Sequence, residues 1–429
     1  MRLIANETGN QAGRQALGAP IAPRIGTGTN WPAVLLVTGA GIVSAFQFGK
    51  PSVALPALQA SLGLGIGPVS WLLSAFALVG ALLGLWIGLR VDAWGARRML
   101  LAGLATQAVA SGLGGLASTF PWLLGWRVVE GVGFLAVVVA GPALVHQVSS
   151  PRGRDRAFAT WGTFMPVGMA ALMLVAPQLQ PLGWEGLWLA NAGLLAAYAL
   201  FFAWAAPRID AFAAASRQSG RPRQAPAAAA TAPGLRHVLA LRAPWLVAAL
   251  FVSFTAMFFS VFTFLPAILS ERLGMAPQPV GWLSAVAVVM SALGTLACGF
   301  LLGRGIAPQR LLVWGFLVMG GVSPAVLLPS LPGGLAYMAA LLVALASGLV
   351  PVILFAAAAR HAPSAAQVGT TVGMAMQGNN LGLLLGPAVA GAIVARWDWG
   401  WVAGWVCLLG VVALVLVLAL QSVRPPESA

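Results

Sequence analysis

Twelve apolar stretches, each long enough to cross a bilayer, dominate this chain. They run roughly over 33–55, 69–89, 99–118, 122–146, 157–178, 187–205, 245–268, 279–302, 311–330, 334–359, 369–394 and 400–421. A spanning helix needs about 20 apolar residues. Inside hydrocarbon every backbone N–H and C=O must be satisfied within the segment, which leaves helix as the structure for isolated spans of this length. The expectation is an all-α membrane protein with 12 transmembrane helices. Composition agrees: 60% of residues are hydrophobic and only 7% are charged, against about 25% charged in a soluble domain. Such a chain cannot dress a water-facing surface, and its apolarity equally excludes a disordered one.

The net charge of +14 would suggest nucleic acid in a soluble protein. Its placement argues for topology instead. If the amino terminus is cytoplasmic, that side holds Arg2, Arg14, Arg24, Arg90, Arg97, Arg98, Arg152, Arg154, Arg156, Arg208, Arg217, Arg221, Arg223, Arg236, Arg242, Arg304, Arg310, Arg360 and Arg424. The other side holds Arg272 and Arg396. Cytoplasmic loops retain Lys and Arg, so both termini are expected in the cytoplasm, with no nucleic-acid partner. Residues 1–30 lack an apolar leader core, so the first span should be retained. Trp31, Trp71, Trp122, Trp184, Trp245, Trp282, Trp397 and Trp399 flank spans and read as interfacial anchors. Cys298 and Cys407 lie inside spans and are too few for a disulfide framework.

The stretch 207–243 is rich in Ala, Pro, Ser and Arg and reads as a basic cytoplasmic linker. It divides the chain into a tail at 1–32, a six-helix bundle at 33–206, a second bundle at 244–421 and a tail at 422–429. The halves echo each other at an offset of roughly 210. Leu55-Pro56-Ala57 and Leu265-Pro266-Ala267 read as closing the first and seventh spans. Pro68-Val69-Ser70-Trp71 and Pro279-Val280-Gly281-Trp282 open the second and eighth. Arg98 and Arg310 open the third and ninth, and Trp184 and Trp397 stand before the sixth and twelfth. Parallel six-helix repeats with a site at their interface are a known transporter plan.

Between the second and third spans stands Gly88-Leu89-Arg90-Val91-Asp92-Ala93-Trp94-Gly95-Ala96-Arg97-Arg98. It resembles the signature loop of the major facilitator superfamily at Gly88, Asp92, Gly95, Arg97 and Arg98. Arg127-Val128-Val129-Glu130-Gly131-Val132-Gly133 resembles the family's fourth-helix segment. The resemblance implies two pseudo-symmetric six-helix bundles, transport by alternating access, and a role for the signature loop as a latch between the halves in the outward-open state. An acid at Asp92 suits the positive end of a helix, and the eleventh span begins near Gly369 on the same side. The family's antiporters carry a Gly-Pro-rich motif in the fifth helix. Here that helix has Gly162, Pro166 and Gly168 out of register, and a closer pattern, Gly382 to Pro387, lies in the eleventh. This departure weighs against antiport.

Only Lys50, Arg127 and Glu130 place ionisable groups well inside the spans. A charge there costs at least about 2.5–3.5 kcal/mol and is a functional hypothesis by default. Lys50, the only lysine, and Arg127 are expected at similar depth. If both face the cavity they favour an anion, with Gln47 one turn from Lys50 as a hydrogen-bonding partner. Lys50 snorkelling to the interface is the alternative. Glu130, three residues from Arg127, either pairs with it or carries a coupling proton. In the second half Ser260, the repeat counterpart of Lys50, joins Asn379 and Asn380 as candidate substrate contacts; the asparagines could instead glue helices together.

No nucleophile with its base, no metal cluster and no phosphate loop emerges, so neither enzyme activity, a cofactor nor ATP drive is expected. The expectation is a monomeric secondary transporter in a bacterial inner membrane, symporter or antiporter, carrying a small anion with a proton as co-substrate. Proton-coupled efflux of hydrophobic or cationic compounds is the alternative within transport. A non-transporting sensor or assembly factor is the alternative from another class.

Overall fold

A computed structural model describes residues 28–63, 66–218, 232–274 and 277–423. Most of the amino-terminal tail, the middle of the linker and the last six residues lie outside these, as do Arg2, Arg14, Arg24, Arg221, Arg223 and Arg424. The helices are α1 (Trp31–Leu62), α2 (Ile66–Trp94), α3 (Ala96–Gly115), α4 (Phe120–Val148), α5 (Arg154–Gly162), α6 (Phe164–Leu179), α7 (Gly183–Gln218), α8 (Ala232–Ala240), α9 (Arg242–Phe262), α10 (Leu265–Leu273), α11 (Pro277–Gly303), α12 (Pro308–Leu327), α13 (Gly333–Ser347), α14 (Leu349–Arg360), α15 (Val368–Val394) and α16 (Trp399–Gln421).

Each of the twelve expected spans is helical, and three are jointed. The fifth is α5 with α6, broken at Thr163; the seventh is α9 with α10; the tenth is α13 with α14, broken at Gly348. Leu265-Pro266-Ala267 therefore opens α10 rather than closing a span, because proline is tolerated in a helix's first turn, where no N–H partner is lost. Among the described residues, nine helical segments are long and apolar enough to cross a membrane. The third, fifth and eleventh spans fall outside that set. α3 begins with Arg97 and Arg98 and carries Gln107; the fifth is divided; α15 is diluted by Gln377, Asn379, Asn380 and its glycines. Packing between neighbours, rather than hydropathy alone, holds such segments at membrane depth.

Both ends of the expected 207–243 linker are helical. α7 continues through Pro207 to Gln218, and α8 occupies 232–240. Alanine-rich sequence sustains the helix.

Two seams join the halves: α2 against α15, the more extensive, and α5 with α6 against α11. They correspond under the repeat, since the second span matches the eighth and the fifth the eleventh. Both depend on small residues. A Cβ at Gly88 would run into the Gly369 carbonyl oxygen, and one at Gly373 into that of Gly84. Gly299 lies against Ala159 and Gly303 against the Arg156 side chain. These contacts fall towards the arginine-rich ends of the helices, so the halves are closed together on that face.

Most of the expected tryptophan anchors are exposed, including Trp71, Trp122, Trp245, Trp282 and Trp397. Trp184 is not: it is 3% exposed and packs edge-on against Trp188 at 5.7 Å. It belongs to an apolar cluster with Leu58, Leu72, Leu123 and Leu172, because it lies on the inward face of α7 next to Trp188.

The glycine seam predicts that Gly88→Leu parts α2 from α15. In a background lacking Cys298 and Cys407, a cysteine at the buried position Met374 should then react faster with a maleimide. Unchanged labelling would show that the seam tolerates the added side chain.

Candidate functional site

Lys50, Arg127 and Glu130 converge on one buried cluster, and all three are 0% exposed. Lys50 reaches it from α1, while Arg127 and Glu130 sit three apart on one face of α4. Lys50 Nζ lies 2.6 Å from Glu130 Oε1 and Arg127 Nη1 lies 2.6 Å from Oε2, so each carboxylate oxygen holds one cation. The remaining donors are also engaged. Lys50 Nζ donates to Ser111 Oγ at 2.7 Å, and the Ser111 hydroxyl donates in turn to the Trp188 carbonyl at 2.9 Å. Arg127 Nε donates to the Leu72 carbonyl at 2.9 Å and Nη2 to the Gln47 carbonyl at 2.5 Å. Trp188 covers the ammonium at 4.4 Å and Phe76 the guanidinium at 3.7 Å, each an attractive placement of a cation over an aromatic face.

This placement answers the question left open by the sequence. Lys50 does not snorkel to the interface: it turns towards α3 and α7, inside the amino-terminal bundle. Neither cation is left free for a ligand in this state. Gln47 contributes its backbone carbonyl to Arg127, while its side chain lies towards α3, with Nε2 3.5 Å from the Gln107 carbonyl. Sequence reasoning missed Gln107, Ser111 and Trp188. A signal existed for the first two: polar residues four apart on one face of an apolar span.

The carboxyl-terminal candidates sit apart from this cluster. Ser260 donates to the Gly386 carbonyl at 3.0 Å, tying α9 to α15. Thr255 bonds the Asn379 carbonyl at 2.9 Å. Asn380 Nδ2 donates to Met376 within its own helix at 2.7 Å, and its side chain packs against Gly80 of α2. Gln377 Nε2 crosses the seam to the Ala81 carbonyl at 3.0 Å. Ser260, Gln377 and Asn380 thus serve helix packing, while Asn379 contributes its backbone carbonyl.

A second polar contact joins the halves. Asp92 accepts from the Gly369 and Thr370 backbone N–H groups, each at 2.7 Å, and from the Thr370 hydroxyl at 2.5 Å. These are free N–H groups of the first turn of α15, where the helix dipole favours an anion. Gly95, at φ 88°, turns the chain between α2 and α3; that conformation suits glycine. Gly88 allows the close approach that brings Asp92 within reach. Arg97 and Arg98 follow in the first turn of α3. Among the described residues no group of His, Cys, Asp and Glu could hold a metal ion.

The buried cluster predicts a marked asymmetry between single and paired substitutions. Glu130→Ala leaves two cations buried without a counter-charge and should cost about 3–5 kcal/mol, whereas replacing all three groups with apolar residues of similar volume should cost far less. Thermal denaturation of the purified variants reads the difference. Equal losses would show that the cluster is not closed to water.

Known proteins share both the sequence pattern and the architecture. The Major Facilitator Superfamily model matches residues 37–376 and 269–429. The chain is 27% identical over 166 residues to a probable actinorhodin transporter of Streptomyces coelicolor, covering 38% of this chain and 29% of that protein. It is 29% identical over 163 residues to the drug efflux pump JefA of Mycobacterium tuberculosis, covering 37% and 32% respectively. The matched segments thus span about a third of each relative. The structure of the proton:xylose symporter XylE superposes with a TM-score of 0.71 at 15% identity, covering 92% of this chain and 95% of that one; at that identity it is the fold that is shared. Fold and relatives are those of transporters rather than enzymes. With its signature loop seated on the opposite bundle and its sequence matched along nearly the whole length, the chain belongs to the major facilitator superfamily.

Proposed function

We propose that the protein is a proton-coupled exporter of a small organic compound, working by alternating access in a bacterial inner membrane with both termini in the cytoplasm and as a monomer. The observation that carries this reading is Glu130 held between Lys50 and Arg127. It is the only carboxylate well inside the spans. Protonation of Glu130 would remove the charge that holds Lys50 of α1 to α4, and two buried cations at close range would then repel each other. A proton thus alters the packing of α1 against α3, α4 and α7. The Asp92 contact with α15 holds the arginine-rich face closed and must be released for the alternative state. Export is favoured by the relatives named a drug efflux pump and a probable actinorhodin transporter.

One observation favours a second reading, the transport of an anion. The cluster holds two cations against one carboxylate, so it keeps one net positive charge, and protonated Glu130 would leave both cations seeking a partner. An anionic solute could take that place.

Proteoliposomes separate the readings. Glu130→Gln should abolish accumulation driven by a proton gradient while solute exchange at equal pH persists. If gradient-driven transport survives, Glu130 does not carry the proton. Under the anion reading, Lys50→Ala and Arg127→Ala should each abolish a preference for anionic solutes in a transport panel. Under the export reading, a deletion strain should gain sensitivity to apolar antibiotics.

A further inference from the structure

Behind the charged cluster, away from the seams between the halves, the amino-terminal bundle buries polar atoms that the protein does not satisfy. Gln47 Oε1, Gln107 Oε1, both side-chain amide atoms of Asn191 and the Trp188 Nε1 have no hydrogen-bond partner. Gln47 and Gln107 are 0% exposed and Asn191 3%. A buried amide left unpaired is costly, and buried polar atoms are nearly always bonded to protein or to ordered water.

The two glutamines face each other. Gln47 Nε2 approaches the Gln107 carbonyl at 3.5 Å, and Gln107 Nε2 donates to Ser44 Oγ at 3.1 Å. Ser111, one turn from Gln107 on α3, bonds the Trp188 carbonyl of α7. α3 and α7 run antiparallel, with Gly115 against Trp188 and Gly112 against Ala192, so Asn191 stands level with Ser111 and Gly112, one turn from Gln107. Further donors and acceptors thus lie within about one turn of the charged cluster on α1, α3 and α7. On its other side it is capped by the apolar cluster of Leu58, Leu72, Leu123 and Trp184.

We infer that this region is a buried hydration site: ordered waters bridge Gln47, Gln107 and Asn191 and reach the Lys50–Glu130 pair from behind. A buried water makes two to four hydrogen bonds to otherwise unsatisfied groups, and the three amides offer that number. The inference rests on the reading of Glu130 as proton carrier and deepens it. The carboxyl group gives its proton to a site water, becoming the carboxylate that Lys50 and Arg127 hold; the hydronium passes the proton to the next water. Proton and solute then use different spaces, the proton inside one bundle and the solute between the two.

Hydroxyl-radical labelling of the full chain in H₂¹⁸O tests the site without reference to transport. Trp188 is fully buried, yet bound water beside it should let its indole take up ¹⁸O. Asn191→Leu, which fills the site, should abolish that labelling, while Asn191→Ser, which keeps a hydrogen-bonding group, should retain it. If Trp188 stays as unlabelled as Phe251 in the apolar core, or if Asn191→Leu labels like the unmodified chain, the hydration site is overturned. Should Asn191→Leu fail to fold, Gln107→Leu replaces it with the same expected loss. Labelling that behaves as expected while Glu130→Gln leaves gradient-driven transport intact would sink the proton-carrier reading and uphold the water.

Discussion

Charge cannot rest in hydrocarbon alone, and much of the amino-terminal bundle is arranged around that constraint. Three ionisable groups at membrane depth would each be costly if isolated. Together they cost less, because one carboxylate divides its two oxygens between two cations and five further groups complete the shell. The shell draws on α1, α2, α3, α4 and α7. A change in the protonation of one atom is therefore felt by most of the bundle. A buried ion pair is weak evidence for stability but well suited to a switch.

The seam between the halves follows a different logic. There, glycines replace side chains so that backbones meet, and a single carboxylate, Asp92, is aimed at the open end of α15. The Asp92 contact is one anion and a few donors at the end of a longer helix seam. The charged cluster and the Asp92 contact lie at opposite ends of α2: Leu72 accepts from Arg127 near one end and Asp92 meets α15 near the other.

Much of this was legible before any coordinates. The Gly88–Arg98 loop, the repeat offset and the arginine asymmetry each follow from local chemistry. The burial of Trp184 was not legible, since a tryptophan at a span's end looks the same in sequence whether it faces lipid or a neighbour. The joints at Thr163 and Gly348 do not show in hydropathy, which runs through them unbroken, but Pro166 and Pro351 each stand three residues on and lack the N–H that would continue the helix, as Pro266 does after Thr263.

The sequence by itself determined that the chain is helical, spans a membrane, is built as two related halves and carries exactly three charges at depth, because those properties follow from apolar run length and composition one segment at a time. Only the tertiary structure decided that Lys50 turns away from the seams, that Glu130 serves both cations at once, and that Gln107, Ser111 and Trp188 complete the site. Which face of a helix meets which neighbour depends on rotation about its axis, and that rotation is set by packing between segments far apart in the chain.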